Sequence, residues 1–194
     1  MSDGSNGYEA LAETFVRWRA PRIGLAIARE WASEFPPGAE VLELGCGHGV
    51  VSQVFVEAGL RLFAVDAAPS LLRRFSERFP EVETECSTAE GSRLLGREFD
   101  GAVAIGLIFL LEEDAQRMVL EKVARGLRPG GRFLFTAPRE VGEWNDDLTG
   151  RVSRSLGEAR YKEILRDAGL EVSSGVVDEG ENHYYFGVKG RVGS

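Results

Sequence analysis

Residues 41–49 read VLELGCGHG, a short apolar run that leads into a glycine-rich loop and carries one acid, Glu43, just before the turn. Gly45, Gly47 and Gly49 let the backbone turn sharply and let a ligand approach it closely. A loop built for a pyrophosphate rarely places a fixed negative charge two residues before its first glycine, whereas a loop for a cationic ligand can use one. The stretch therefore predicts a strand followed by a ligand-binding turn that favours positive charge.

Composition limits the classes of function. The chain has 194 residues, 43% of them hydrophobic and 28% charged, which predicts one soluble globular domain with its own core. Its net charge of −8 argues against a nucleic acid or an anionic membrane surface as the main partner. The two cysteines, Cys46 and Cys86, fit neither a disulfide framework nor a metal site. We therefore expect no metal and a cytoplasmic location.

Helical and strand patterns alternate along the chain. Strands are predicted at 40–44, 60–65, 82–86, 99–105, 132–137, 170–177 and 184–189, and helices at 8–18, 22–34, 50–58, 69–79, 112–127 and 158–168. This order predicts an α/β, Rossmann-like doubly wound fold with a mainly parallel seven-stranded sheet, an antiparallel last strand and helices on both faces. Residues 139–157 are poorly periodic and are expected to form an irregular segment near the functional edge.

Ligands of such sheets bind beyond the carboxyl ends of the strands, where the strand order reverses. The glycine loop, Asp66 after the second strand and Ile105 after the fourth strand all fall at that edge. A dinucleotide loop needs G-x-G-x-x-G, but Val50 occupies the third glycine position here. Two classes of cofactor therefore compete, a dinucleotide such as NAD and S-adenosylmethionine. Asp66 could bind the ribose of either. Glu43 separates the classes, because an NAD pyrophosphate is anionic whereas S-adenosylmethionine carries a sulfonium and an ammonium group.

Four stretches carry a family resemblance: VLELGCGHG, FAVDAAPS at 63–70, FDGAVAIGLIFLL at 99–111 and LRPGGRFLFTAP at 127–138. In this order and spacing the chain resembles the class I S-adenosylmethionine-dependent methyltransferases over residues 40–188. The resemblance implies methyl transfer from S-adenosylmethionine, with S-adenosylhomocysteine as product, to a small-molecule oxygen, nitrogen, sulfur or carboxylate nucleophile. An NAD-dependent oxidoreductase on a similar fold and a non-catalytic cofactor-binding protein remain as alternatives.

The resemblance also implies roles for single residues. Glu43 would face the cofactor's ammonium group, and Asp66 would bind the ribose hydroxyls. Ala89 would offer its backbone N–H to the adenine, while Thr88 stands where an aspartate is frequent. The remaining cofactor-side positions are Gly45, Cys46, Gly47 and Gly49 around the methionine part, Ala67 beside the adenine, and Ile105.

The acceptor side is less defined by the sequence. His183 and Tyr184 begin the last strand, and an antiparallel direction would bring them to the ligand edge, where a neutral histidine can act as a base. Trp18, Arg19 and Trp144 are expected on the substrate side. The chain is thus predicted to form one methyltransferase domain, 1–194, with a loose terminus (1–7), N-terminal helices over the cofactor (8–35), a cofactor-binding core (40–137), the irregular segment (139–157) and a C-terminal helix and strand pair (158–189).

Overall fold

The computed structural model of the chain describes residues 4–18 and 24–191, without the side chain of Leu95. Its helices are Ala12–Trp18 (α1), Leu25–Ala32 (α2), Ser52–Glu57 (α3), Pro69–Arg78 (α4), Glu113–Gly126 (α5) and Glu158–Asp167 (α6). Its strands are Glu40–Leu44 (β1), Arg61–Asp66 (β2), Glu83–Cys86 (β3), Phe99–Ala104 (β4), Leu127–Thr136 (β5), Val141–Asn145 (β6), Val152–Leu156 (β7), Leu170–Val177 (β8) and His183–Lys189 (β9).

Seven strands form one sheet in the order β3-β2-β1-β4-β5-β9-β8. Neighbouring strands are parallel from β3 through β5, and β9 runs antiparallel to both β5 and β8. The predicted mainly parallel seven-stranded sheet with an antiparallel last strand is confirmed. The strand order reverses between β1 and β4, so the loop after β1 lies at the position where doubly wound sheets bind ligands.

Two apolar layers cover the sheet, one on each face. The layer on one side joins α2, α3 and α4 to alternate strand residues and includes Trp31, Val41, Phe55, Phe75 and Tyr184. The other joins α5 and α6 to the intervening strand residues and includes Leu42, Val119, Phe135, Tyr161 and Tyr185. Because side chains of a strand alternate between faces, Val41 and Glu43 share the α3 side. The prediction of helices on both faces is confirmed.

Segment 139–157 is more regular than predicted. It forms an antiparallel hairpin in which β6 pairs with β7 and with no other described strand. Asp146 closes the hairpin by accepting the backbone N–H groups of Leu148 and Thr149. Buried Ser153 and Ser155 face inward from β7, and small polar residues in these positions hide the apolar alternation by which a strand is recognised in a sequence.

Other boundaries also differ from the sequence predictions, and the helix predicted over 8–18 begins at Ala12. Strand β5 begins at Leu127, five residues earlier than predicted, because Leu127 already pairs with Phe99 before a register shift. Residues 4–7, predicted to be loose, form turns in which Ser5 is buried and its Oγ accepts the Glu9 N–H at 3.0 Å. Within the described ranges, no helix combines the length and the apolar character needed to cross a membrane.

Candidate active site

A cavity of about 680 Å³ opens at the carboxyl edge of the parallel strands, a volume in the range of small-molecule and cofactor sites. Its wall includes the glycine loop, the loops after β2, β3 and β4, the N-terminal segment, the loop between β6 and β7, and the turn between β8 and β9. Every predicted cofactor residue lines it except Gly49: Glu43, Gly45, Cys46, Gly47, Asp66, Ala67, Thr88, Ala89 and Ile105.

The backbone N–H groups of the glycine loop are directed into the protein. The N–H groups of Gly45 and Cys46 donate hydrogen bonds to the Val65 carbonyl at 2.8 and 3.2 Å. The Gly47 N–H donates to Asp66 Oδ2 at 2.7 Å, and the Gly49 N–H donates to the Cys46 carbonyl at 3.0 Å. A dinucleotide loop holds a pyrophosphate with N–H groups of this kind. Because these four N–H groups already have partners within the protein, they do not form an anion cradle for a ligand.

Glu43 is the buried acid of the site. Only 4% of the residue is exposed, and its Oε2 accepts a hydrogen bond of 2.5 Å from the Ser52 hydroxyl at the start of α3. Burial raises the pKa of Glu43 to about 8, against the opposing effect of the Ser52 hydrogen bond. A carboxyl group held in this way gains most from a cationic partner in the cavity.

Asp66 joins two loops at the end of β2. Its Oδ2 accepts the Gly47 N–H and its Oδ1 accepts the Ala68 N–H at 2.8 Å. Burial raises the pKa of Asp66, while these backbone hydrogen bonds act in the opposite direction. Each carboxylate oxygen can accept more than one hydrogen bond, so both can also receive ribose hydroxyls. The acid therefore fixes the shape of the site and remains suited to a ligand diol.

The loop after β3 forms the opposite end of the cavity. Thr88 uses its Oγ1 to accept the Gly91 N–H at 3.0 Å, so its side chain is part of a local turn. Lys122 of α5 donates to the carbonyl groups of Ala89, Glu90 and Ser92 at 2.5, 2.9 and 2.9 Å. No local sequence pattern indicates this role of Lys122, because the lysine lies 30 to 33 residues along the chain from these carbonyl groups. Its contacts fix Ala89 in the cavity wall.

Gly49 serves packing instead of lining the cavity. It has a φ of +85°, and a Cβ there would lie 2.5 Å from Phe79 Cε2 and 3.1 Å from Phe75 Cδ2. The missing side chain allows the loop to lie directly on α4. The expectation that Gly49 lines the methionine part of a cofactor is therefore corrected to a close contact between loop and helix.

The two predicted catalytic residues are separated by strand alternation. The start of β9 does lie at the ligand edge, because Tyr184 pairs with Thr136 at the end of β5. Tyr184 is fully buried and lines the cavity. His183 is not among the lining residues, and its Nδ1 is buried without a hydrogen-bond partner among the described residues. Successive side chains of a strand point to opposite faces, so only one of this pair faces the ligand.

The predicted substrate-side residues also differ in position. Trp18, at the end of α1, lines the cavity and is 60% exposed. Trp144 of β6 lies outside the wall and packs against Phe109, a lining residue, with 5.7 Å between the ring centroids. Arg19 falls outside the described residues. Phe109 follows β4 and lies in the stretch 99–111 that carries the family resemblance, but it was not predicted as a site residue.

The N-terminal segment covers one side of the cavity through contacts that are distant in sequence. Glu9 accepts both the N–H and the hydroxyl of Ser70, at 2.8 and 2.6 Å, at the first turn of α4. Tyr8 donates its hydroxyl to Asp146 Oδ2 at 3.2 Å. Phe15 of α1 packs near the glycine loop, and a Cβ on Gly47 would lie 3.4 Å from its ring. The segment is thereby attached to α4 and to the β6–β7 loop.

Comparison with known proteins agrees with this geometry. A family model described as a methyltransferase domain matches residues 41–131. A cypemycin N-terminal methyltransferase from a Streptomyces species is 33% identical over 181 residues, which cover 87% of this chain and 71% of that protein. The chain belongs to the class I S-adenosylmethionine-dependent methyltransferases. The prediction from the four sequence stretches is confirmed.

Other proteins similar to this methyltransferase have lower sequence identity, and one of them has a longer chain. A probable S-adenosylmethionine-dependent methyltransferase from Mycolicibacterium smegmatis is 29% identical over 139 residues, and the match spans 70% of this chain but only 53% of that protein. The 1,6-didemethyltoxoflavin-N1-methyltransferase of Burkholderia thailandensis has a TM-score of 0.72 at 25% identity, covering 96% of this chain and 90% of the other. The CcbJ methyltransferase of Streptomyces caelestis, at 16% identity, shares the fold with a TM-score of 0.77 and covers 99% and 100% of the two chains.

Proposed function

We propose that this methyltransferase transfers a methyl group from S-adenosylmethionine to a small-molecule nucleophile, within one domain and in the cytoplasm. One observation carries the proposal. The glycine loop turns its N–H groups inward and places the buried Glu43 carboxyl group in the cavity, which favours a cation over a pyrophosphate. Neither a nucleic acid nor a membrane is proposed as partner, since the net charge is −8.

The residues present fit the cofactor. Glu43 would hold the ammonium group, Asp66 the ribose hydroxyls and the Ala89 N–H the adenine edge. Gly45, Cys46, Gly47, Ala67 and Ile105 would line the space between them, as lining residues of the same cavity. When bound, S-adenosylmethionine supplies an electrophilic methyl group. The protein's part is to hold this group in line with a nucleophile, which can lower a barrier by up to ~7–11 kcal/mol.

The remaining cavity wall positions an acceptor and excludes water. Apolar side chains of Leu107, Phe109 and Leu110 line the side that follows β4. Thr136 Oγ1 accepts the Gly106 N–H at 2.8 Å, which fixes this turn against the end of β5. Trp18 and the Tyr8 segment form the cover. The position of His183 outside the wall does not support a role as general base, so the proposal assigns it none.

Calorimetry separates this function from the oxidoreductase alternative. S-adenosylhomocysteine should bind with micromolar affinity, and NADH should not bind. Tight NADH binding without S-adenosylhomocysteine binding would overturn the proposal.

Turnover separates catalysis from binding alone. Incubation of the chain with methyl-labelled S-adenosylmethionine and a set of small nucleophiles should yield a labelled product together with S-adenosylhomocysteine. Tight cofactor binding with no transfer to any nucleophile would favour a non-catalytic binding protein.

A further inference from the structure

Lys122 contacts the cavity wall from outside the cavity. It lies on α5 and is not among the lining residues, whereas Thr88, Ala89 and Glu90 of the loop after β3 are. Its ammonium group has three hydrogens and three backbone acceptors, the carbonyl oxygens of Ala89, Glu90 and Ser92 at 2.5, 2.9 and 2.9 Å. The hydrogen-bonding capacity of the lysine is therefore fully used on one short stretch of backbone.

This stretch is a single hydrogen-bonded turn, residues 88–92. The Ser92 N–H donates to the Thr88 carbonyl at 2.9 Å, and Thr88 Oγ1 accepts the Gly91 N–H at 3.0 Å. One turn has too few backbone hydrogen bonds to be stable alone. Lys122 donates to the carbonyl groups that the turn itself leaves without donors, as a cation does at the end of a helix. The position of the turn therefore depends on Lys122.

The same contacts set the direction of the N–H groups of the turn. In a trans peptide unit the N–H points opposite to the C=O. The Thr88 carbonyl points to the Ser92 N–H, so the Ala89 N–H of the same peptide unit points the other way. The Ala89 carbonyl points to Lys122, so the N–H of the following residue points away from the lysine. The Ala89 N–H donates to no described residue, which leaves it as a donor in the cavity wall.

Charge holds Lys122 in the same place. Burial lowers its pKa, whereas the carboxylates of Glu90 and Glu85 favour its charged form. Glu85 also accepts the Ser92 hydroxyl at 2.9 Å and the Arg93 N–H at 3.3 Å, which fixes the end of the turn to β3. Loss of the lysine would remove both the backbone donors and the positive charge between two carboxylates.

We propose that Lys122 is a positioning residue for cofactor selection: it holds the 88–92 turn so that the Ala89 N–H selects adenine, whose N1 is an acceptor, over hypoxanthine, whose N1 carries a hydrogen. This inference rests on the proposed function, which places the adenine edge at Ala89. Thr88 has no carboxylate to accept the exocyclic amine of adenine, so the backbone donor carries the discrimination. A site built around one hydrogen bond rejects an analogue that cannot form it, because the buried group is left without a partner.

S-inosylhomocysteine, in which hypoxanthine replaces the adenine of S-adenosylhomocysteine, is the probe. Calorimetry should show that the wild-type protein binds S-adenosylhomocysteine at least tenfold more tightly than this analogue. In Lys122→Met the turn loses three donors and can rotate a carbonyl group toward the ligand, so the ratio of the two affinities should fall by about fivefold or more. A merely structural lysine would lower the free energy of unfolding and leave this ratio unchanged.

Two further variants accompany the test. Lys189→Met removes another lysine that donates to backbone carbonyl groups, those of Arg125 and Leu127 at 3.2 and 2.6 Å, outside the cavity wall, and should leave the ratio unchanged. Lys122→Arg keeps the positive charge but cannot direct three hydrogens from one nitrogen, so its ratio should fall about threefold. If Lys122→Met does not fold, Lys122→Arg decides the test.

Hydrogen exchange in the ligand-free protein gives a second readout. The Ser92 N–H closes the turn, so it should exchange about tenfold faster or more in Lys122→Met, or in Lys122→Arg if that variant is used, than in Lys189→Met. Equal exchange rates would show that the lysine does not hold the turn and would overturn the inference.

The outcomes distinguish the two proposals. A wild-type protein that does not bind S-adenosylhomocysteine would refute the proposed function. Normal binding of S-adenosylhomocysteine refutes only the role of Lys122 if the wild type binds the hypoxanthine analogue equally well, or if the ratio stays at its wild-type value in the Lys122 variants.

Discussion

Replacing Glu43 by glutamine should stabilise the ligand-free protein and weaken its hold on the cofactor. The carboxyl group is buried, and its pKa of about 8 lies above the ordinary value of 4.5. Between these values the folded protein binds more protons at this site than the unfolded chain, so the free energy of unfolding falls as pH rises. Each pKa unit corresponds to about 1.4 kcal/mol, which gives a loss of roughly 5 kcal/mol by the time the group is ionised.

Glutamine has nearly the same shape, stays neutral and can still accept the Ser52 hydroxyl. At about pH 5 the variant and the wild type should therefore have similar stability. By about pH 8 the variant should be more stable by about 4 kcal/mol. Urea unfolding at the two pH values measures this difference. A stability difference between the proteins that is the same at both pH values would refute the reasoning.

The affinity of the wild type for the cofactor should rise with pH, whereas its free energy of unfolding falls. The ammonium group of S-adenosylhomocysteine favours the ionised carboxylate, so wild-type affinity should rise roughly twentyfold between about pH 6 and pH 7.5 as Glu43 loses its proton. In Glu43→Gln the affinity should be at least tenfold lower near neutral pH and nearly independent of pH. A wild-type affinity that does not change over this range would show that Glu43 does not meet the ammonium group.

Two further substitutions test the loops around the cavity. Asp66→Ala should weaken S-adenosylhomocysteine binding at least tenfold in calorimetry, because the ribose hydroxyls and the N–H groups of Gly47 and Ala68 lose their acceptor. An unchanged affinity would show that Asp66 is not part of the site. Gly49→Ala should lower the free energy of unfolding by about 1–3 kcal/mol, because the new Cβ would clash with Phe79. Gly38→Ala is the control: Gly38 has a similar φ of +80° but open space around it, so this variant measures the backbone strain without the clash. If both variants lowered the free energy of unfolding equally, the packing role of Gly49 would be contradicted.

The sequence alone determined the order of the elements outside residues 139–157 and the position of the site. Apolar periodicity, Pro69 at the first turn of α4 and the glycine turns are local signals, and each depends on residues that are close along the chain. The acid before the glycines was equally visible, and its meaning followed from the charge of the competing cofactors. Strand β1 was predicted with its observed bounds for this reason.

Only the tertiary structure decided how the site is closed. Tyr8 meets Asp146 across 138 residues of sequence, and Glu9 meets Ser70 across 61. No local pattern marks such pairs, because each partner alone looks like an ordinary polar surface residue. The β6–β7 hairpin was missed for a related reason, since its inward positions carry serines where a strand pattern expects apolar residues.

The choice between His183 and Tyr184 shows the same limit at the scale of one residue. The sequence placed both at the ligand edge, and the pleat of β9 decided which side chain faces the cavity. The direction of the loop N–H groups depended likewise on Val65 and Asp66 of the neighbouring strand. Chemistry that depends on a residue type could be predicted from the sequence, whereas chemistry that depends on where an atom points required the packed structure.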